Sequence, residues 1–182
     1  MILVLFGAPG VGKGTQAVIL AEKLGIAHLS TGDAFRAAIK NQPAVGMLAK
    51  EYVDSGKLVP DEVVTRIVEE AMSGTQFADG CILDGFPRTR AQADALDQLL
   101  AKKGLSIGRV VNLEVDDETI IARLLQRGRA DDTEAIIRDR LNVYNNETAP
   151  LLEYYGEKGL LRSVNGIGDV EEVSSRVLVA LN

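Results

Sequence analysis

Three short segments of the chain are predominantly apolar: Ile2 to Phe6, Cys81 to Leu83 and Val110 to Val115, the last carrying Asn112 and Glu114. Turn-forming residues bound each one, and short, mostly apolar runs of this kind predict parallel strands covered on both faces. Between them apolar residues recur three and four apart, as in Ala17, Leu20, Ala21 and Leu24 before Gly25, and in Ala95, Leu96, Leu99 and Leu100 before Gly104. That spacing marks an amphipathic helix, and a glycine just past the last apolar position is a common stop. Strand and helix in alternation predict βαβ units, hence an α/β fold around a doubly wound parallel sheet. Ile26 to Leu29 and Leu160 to Val164 are shorter candidates for two further strands. Asp169 to Leu181 predicts a closing helix with acidic residues in its first turn.

Two stretches interrupt this alternation. From Asp33 to Ser73 the pattern is helix after helix without a strand, broken at Gln42-Pro43 and at Ser55-Gly56-Lys57-Leu58-Val59-Pro60, which predicts an inserted helical subdomain. Arg127-Gly128-Arg129-Ala130-Asp131-Asp132 is a polar break between a helix ending near Gln126 and a long one beginning near Asp132 or Thr133. It predicts a short exposed loop. A chain of 182 residues with 46% hydrophobic and 25% charged positions suits one globular domain with its own core.

The strongest chemical signal is Gly7-Ala8-Pro9-Gly10-Val11-Gly12-Lys13-Gly14-Thr15, which follows an apolar strand and opens a helix. In that context it predicts a phosphate-binding loop and the P-loop NTPase fold. Glycines let successive backbone N–H groups turn toward phosphate oxygens, the helix N-terminus adds its dipole, and Lys13 brings a positive charge to the transferred group. The strict pattern has Ser or Thr directly after the lysine, whereas Gly14 stands there and Thr15 follows. Direct magnesium ligation by that hydroxyl is therefore not expected. Cys81-Ile82-Leu83-Asp84 ends a predicted strand in a carboxylate, at the edge where α/β sheets bind ligands. Asp84 is thus a candidate for ordering magnesium and its water; a turn or cap is the alternative.

Charge narrows the partners. With 20 Lys plus Arg against 26 Asp plus Glu the net charge is −6, which disfavours general binding to nucleic acid or an anionic membrane. Yet of twelve arginines five fall between Arg123 and Arg140, namely Arg123, Arg127, Arg129, Arg138 and Arg140. Such a cluster is either a local trap for phosphate oxygens or a solvated helix face balanced by Asp131, Asp132, Glu134 and Asp139. Cys81 is the sole cysteine, so an intrachain disulfide and a cysteine zinc cluster are both excluded, and a reducing cytoplasm fits. No basic leader precedes Ile2, and no segment reaches the roughly 18 apolar residues of a membrane span, so neither export nor insertion is expected. His28, the single histidine, is expected to pack or face solvent rather than to catalyse.

In order and spacing these motifs resemble the adenylate kinase family along essentially the whole chain, in its short-lid form. The resemblance rests on the glycine loop with Gly14-Thr15-Gln16, on Leu29-Ser30-Thr31-Gly32-Asp33 with Arg36, and on Gly56-Lys57-Leu58-Val59-Pro60-Asp61. Asp84-Gly85-Phe86-Pro87-Arg88-Thr89 with Gln92 is its most specific segment, and Arg123, Arg127, Arg129-Ala130-Asp131-Asp132 and Arg140 complete it. It implies ATP plus AMP giving two ADP, with magnesium and without zinc, by a cytoplasmic monomer whose partners are the nucleotides ATP, AMP and ADP. It implies a core of residues 1–29, 60–125 and 133–182, a monophosphate-binding insertion at 30–59 and a short lid at 126–132.

By the same resemblance Gly10, Val11, Gly12, Lys13, Gly14 and Thr15 would hold ATP phosphates, Arg123 and Arg127 would lie against ATP, and Gly168 would offer its carbonyl to adenine. Thr31, Arg36, Lys57, Leu58, Val59, Gly85, Phe86, Pro87, Arg88 and Gln92 would bind AMP. Arg129 and Arg140 would bridge both nucleotides. Lys13, Arg88, Arg123, Arg129 and Arg140 would be the catalytic set, with Asp84, and more weakly Asp33, ordering magnesium-bound water. Asp33 equally suits a helix cap. Longer-lid members carry an insertion of some tens of residues where here only Gly128 separates two arginines. A kinase acting on CMP or UMP stays open as an alternative, and so does a nucleotide-binding switch, although a switch has no use for the second anion set of Arg36, Arg88 and Gln92.

Overall fold

The computed structural model describes residues 1–41, 52, 55–129 and 131–181, with only the backbone at positions 36 and 38–41. Five strands, β1 (Ile2–Phe6), β2 (Ala27–Ser30), β3 (Cys81–Asp84), β4 (Ile107–Glu114) and β5 (Leu161–Asn165), form one parallel sheet in the order β2-β3-β1-β4-β5. The helices are α1 (Lys13–Leu24), α2 (Thr31–Asn41), α3 (Asp61–Ala71), α4 (Arg90–Lys102), α5 (Asp117–Arg127), α6 (Glu134–Val143), α7 (Pro150–Glu157) and α8 (Val170–Leu181). All five predicted strands are present, each within a few residues of its expected limits.

The uninterrupted apolar character of β1 follows from its central place. Successive side chains point to opposite faces, and both faces are covered. Ile2, Val4 and Phe6 join Cys81, Leu83, Val110, Leu96, Leu100, Leu151 and Tyr155 on one side. Leu3 and Leu5 join Ile82, Val111, Leu113, Ala17, Leu20, Val173 and Val177 on the other. A third cluster, Ile120, Leu124, Ile137 and Leu141, holds α5 against α6. Cys81 is fully buried, and burial pushes its thiol up to about 11, as expected of a packing residue.

The pairing register sets the functional edge. Leu5 lies opposite Asp84, and Ser30 lies opposite Asp84 on the other side, so β1, β2 and β3 end level. From β1 the chain runs through α1 to β2 on one flank, and β4 lies on the other flank of β1. The strand order therefore reverses at β1 and β3, and the crevice outside their carboxyl ends is where such sheets take ligands.

The Asp33–Ser73 stretch is helical in its described parts, α2 and α3, with Gly56 to Pro60 leading into α3. The break predicted at Gln42-Pro43 lies outside the described residues. Two expectations are corrected. Ser30, not Asp33, caps α2: its Oγ accepts the Asp33 N–H at 3.2 Å, which places Asp33 in the first turn, where a negative charge favours the helix dipole. The long helix expected after the lid is also broken, since α6 passes into a π-helical turn at Tyr144–Thr148 before α7 starts with Pro150. Among the described residues no helix is long and apolar enough to cross a membrane.

Candidate active site

A cleft of about 700 Å³ opens at the carboxyl edge of the sheet. The turn after β1 forms its floor. Gly10 is at φ +88°, and a Cβ there would come 2.6 Å from Leu124 Cγ, so only glycine fits the loop against α5. Gly10, Gly12, Lys13, Gly14 and Thr15 line the cleft, while Val11 is buried behind the loop with its carbonyl toward Arg123. The α1 N-terminus thus points into the cleft, a setting that favours anions.

Lys13 Nζ donates to the carbonyls of Gly7 at 2.7 Å and Ala8 at 3.0 Å. Its pKa is lowered to about 8, first by desolvation, with the nearby Arg88 and Arg127 charges adding and Asp84 opposing. Asp84 is held below its ordinary range: burial works to raise it, but His28, Lys13 and Arg88 outweigh that. His28 Nε2 stands 3.7 Å from Asp84 Oδ2, an ion-pair distance too long for a hydrogen bond. The histidine expected merely to pack therefore lines the cleft beside its carboxylate. In the β2–β3 register His28 pairs with Ile82, two residues before Asp84, so the two side chains share a face of the sheet.

The opposite wall comes from α2, the approach to α3, and the turn after β3. Thr31 is buried, and its hydroxyl donates toward the carbonyls of Gly85 at 2.9 Å and Asp84 at 3.3 Å. Gly85 sits at φ +80°, where a Cβ would come 2.8 Å from both Arg88 Nη2 and Thr31 Oγ1. Arg88 Nε donates back to the Gly85 carbonyl at 2.8 Å, and Thr148 Oγ1 holds the Arg88 carbonyl at 2.9 Å. Lys57, Leu58, Val59, Pro87 and Gln92 line this wall, whereas Phe86 is turned into the core. The side chain of Arg36 lies outside what is described.

The arginine cluster faces the same cleft, through Arg123, Arg127, Arg129 and Arg140. Arg123 is held by the Gly166 carbonyl at 3.3 Å and the Val11 carbonyl at 3.3 Å. Arg127 pairs bidentately with Asp132, at 2.9 and 2.7 Å, and Asp132 Oδ2 also accepts the Arg129 N–H at 3.1 Å. Arg140 binds Asp131 and stands 3.5 Å from Asp132. The acidic pair thus organises arginines that also line the cleft, so the two readings of this cluster are not exclusive. Arg138 is apart, in an exposed pair with Glu134. Gly168, at φ +130° in the turn after β5, does not line the cleft; its neighbour Gly166 reaches the site through Arg123.

Chemically, the cleft joins a cationic phosphate loop, the charged carboxylate of Asp84, and guanidinium groups on both sides. That is the equipment for binding polyanions and stabilising charge as it moves between them. Along its length the chain is similar to known proteins. The family model described as adenylate kinase matches residues 5–160. The adenylate kinase of Corynebacterium glutamicum (strain R) is 51% identical over 181 residues, covering 100% of this chain and 99% of its own. Adenylate kinase 1 of Nostoc sp. is 50% identical over 179 residues, covering 98% and 97%. That of Leptospira biflexa is 47% identical over 183 residues, covering 98% of each. With near-complete coverage at this identity and a phosphate loop facing a second cationic wall, the chain belongs to the adenylate kinase family.

Proposed function

We propose that the chain catalyses reversible phosphoryl transfer, ATP plus AMP giving two ADP. One observation carries this most strongly: the loop bearing Lys13 and the wall bearing Arg88 face one cleft with Asp84 between them. A switch that only binds a nucleoside triphosphate has no need of the second wall. In this reading Gly10 to Thr15 hold the ATP phosphates, with Arg123 and Arg127 alongside and Gly168 near the adenine. Thr31, Arg36, Lys57 to Val59, Gly85 to Arg88 and Gln92 take AMP, and Arg129 and Arg140 serve both. Residues 30–59 act as the monophosphate-binding insertion and 126–132 as a short lid on the remaining core.

No general base is needed, because an acceptor phosphate is mostly dianionic near neutral pH. The residues act by placement and charge: Lys13 and the arginines meet oxygens on which negative charge is spread during transfer. Magnesium, when bound with ATP, neutralises charge on the phosphates. Asp84 fits a role in holding its water shell. It is kept ionised, and it lines the cleft with the Lys13 loop. A reducing, cytoplasmic setting is consistent with the single buried cysteine.

A panel of AMP, GMP, CMP and UMP with ATP decides the acceptor. AMP should exceed the others in kcat/KM by at least about 10², since a site that hydrogen-bonds one base leaves polar groups unpaired with another. Equal values for CMP would move the chain to a pyrimidine kinase, and nucleotide binding without any transfer would favour the switch.

Lys13 gives a second test. A phosphate replacing loop carbonyls beside its ammonium must raise the depressed pKa, so ATP binding takes up protons between about pH 8 and the ordinary lysine value of about 10.4. At pH 9 roughly 0.9 proton should be taken up, and almost none below pH 7, where the group is already charged. Calorimetry in buffers of different ionisation enthalpy measures this directly. Zero uptake at pH 9 would mean either that the free Lys13 ammonium is not depressed or that phosphate does not reach it.

A further inference from the structure

Asp61, the first residue of α3, accepts two hydrogen bonds from the start of α4: Gln92 Nε2 at 2.7 Å on Oδ1 and Thr89 Oγ1 at 2.9 Å on Oδ2. On its other side the Gln92 amide accepts the Arg88 N–H through Oε1 at 2.8 Å. These partners fix which way the amide faces. Rotating it by half a turn would set its NH₂ against a backbone N–H and its oxygen against a carboxylate. Gln92 is only 1% exposed, so water cannot compensate such a reversal.

The orientation matters because a free carboxamide cannot tell adenine from a 6-oxopurine. Adenine presents an acceptor at N1 beside a donor at N6, whereas guanine and hypoxanthine present a donor at N1 beside an acceptor at O6. An amide able to rotate meets either edge equally well. One that is fixed, with one NH₂ hydrogen and one oxygen lone pair left over, meets only one of them. Asp61 suits the fixing task because a carboxylate has two acceptor oxygens and no hydrogen: it takes the Gln92 and Thr89 donors together. Asparagine could accept from only one of them.

We propose that Asp61 is a specificity-determining positioning residue, which locks the Gln92 amide in the sense that accepts adenine and rejects 6-oxopurine monophosphates. This rests on the acceptor being a monophosphate whose base meets Gln92. Asp61 also ties α3 to α4, and a purely structural role would weaken all acceptors alike. The ratio of kcat/KM for AMP over GMP separates the two, because loss of packing does not distinguish the bases.

The test compares wild type, Asp61→Asn and Thr89→Ala, each checked for folding by circular dichroism. Asp61→Asn should lower the AMP-to-GMP ratio by about tenfold or more. Thr89→Ala, which loses the helix tie but keeps the Asp61–Gln92 bond, should lower stability and leave the ratio within about threefold. A ratio preserved in Asp61→Asn, or lowered equally in both variants, overturns the proposal. Should Asp61→Asn not fold, wild type alone answers. Purine riboside monophosphate, which keeps the N1 acceptor and lacks the 6-amino group, should be a better acceptor than inosine monophosphate. The reverse order overturns the lock. Failure of wild type to phosphorylate AMP at all would overturn the adenylate kinase activity instead, a separate result.

Discussion

Lys13→Met should fold, bind nucleotide, and lose between about 10² and 10³ in kcat. The argument starts from what the ammonium does before any ligand arrives. It is bonded to the Gly7 and Ala8 carbonyls, and desolvation has already lowered its pKa to about 8. Both facts describe a cation held on the floor of the cleft with few partners of its own charge preference. Phosphates offer it stronger acceptors than carbonyls, and the demand grows as charge spreads over the transferred group. The effect should therefore fall on kcat rather than on ATP affinity, where the loop N–H groups and the α1 N-terminus still act. Methionine keeps most of the aliphatic stem, so the core side of the loop is preserved. Circular dichroism, ATP titration and the coupled rate together check it, and wild-type turnover would remove Lys13 from the reaction.

The parts of this site that were legible in the sequence are those fixed by local chain chemistry. A phosphate loop needs glycine where φ is positive and a strand and helix on either side, all within fifteen residues. The carboxylate of Asp84 was legible because an apolar strand carries it to the sheet edge. Partners separated in sequence were not. His28 reaches Asp84 only because β2 and β3 are neighbours in register, an order that no periodicity reveals. Asp61 was visible as part of a motif, yet its bonds to Thr89 and Gln92 span 28 and 31 residues. The π-helical turn at Tyr144–Thr148 keeps helical periodicity, so the pattern ran through it, although that turn carries the Thr148 hydroxyl which holds the Arg88 carbonyl. In the sequence Asp131 and Asp132 stand only as charges able to balance the arginine cluster. What spacing could not convey is that the Asp132 side chain has no exposure at all.

That burial gives Asp132→Ala a large expected effect on stability. The carboxylate accepts both arms of Arg127 and the Arg129 N–H, with Arg140 at 3.5 Å. Removing it strands a backbone donor and uncouples two arginines, but Arg127 is about one-third exposed and regains some water. A loss of about 3 kcal/mol follows, toward the lower end of what breaking a buried pair costs. The pH dependence has a definite sign. Burial alone would raise the Asp132 pKa, yet the Arg127 hydrogen bonds, the Arg129 N–H and the two guanidinium charges bring it below the ordinary aspartate value. Asp131 is lowered as well, against its own desolvation, by Arg140. A carboxyl group whose pKa is depressed by folding stabilises the protein above its unfolded pKa of about 3.9, and that contribution disappears as pH falls through the folded value. Wild type should therefore lose melting temperature progressively below about pH 5, and Asp132→Ala should start lower and fall less steeply over the same range. Asp84 keeps its own share of the slope in both proteins, so the difference between the two curves isolates Asp132 and its arginine partners. Parallel curves would mean that Asp132 is not held as an anion by these arginines. With the bond intact, Arg127 still has donors that Asp132 does not use, so it can meet a phosphate without leaving the carboxylate.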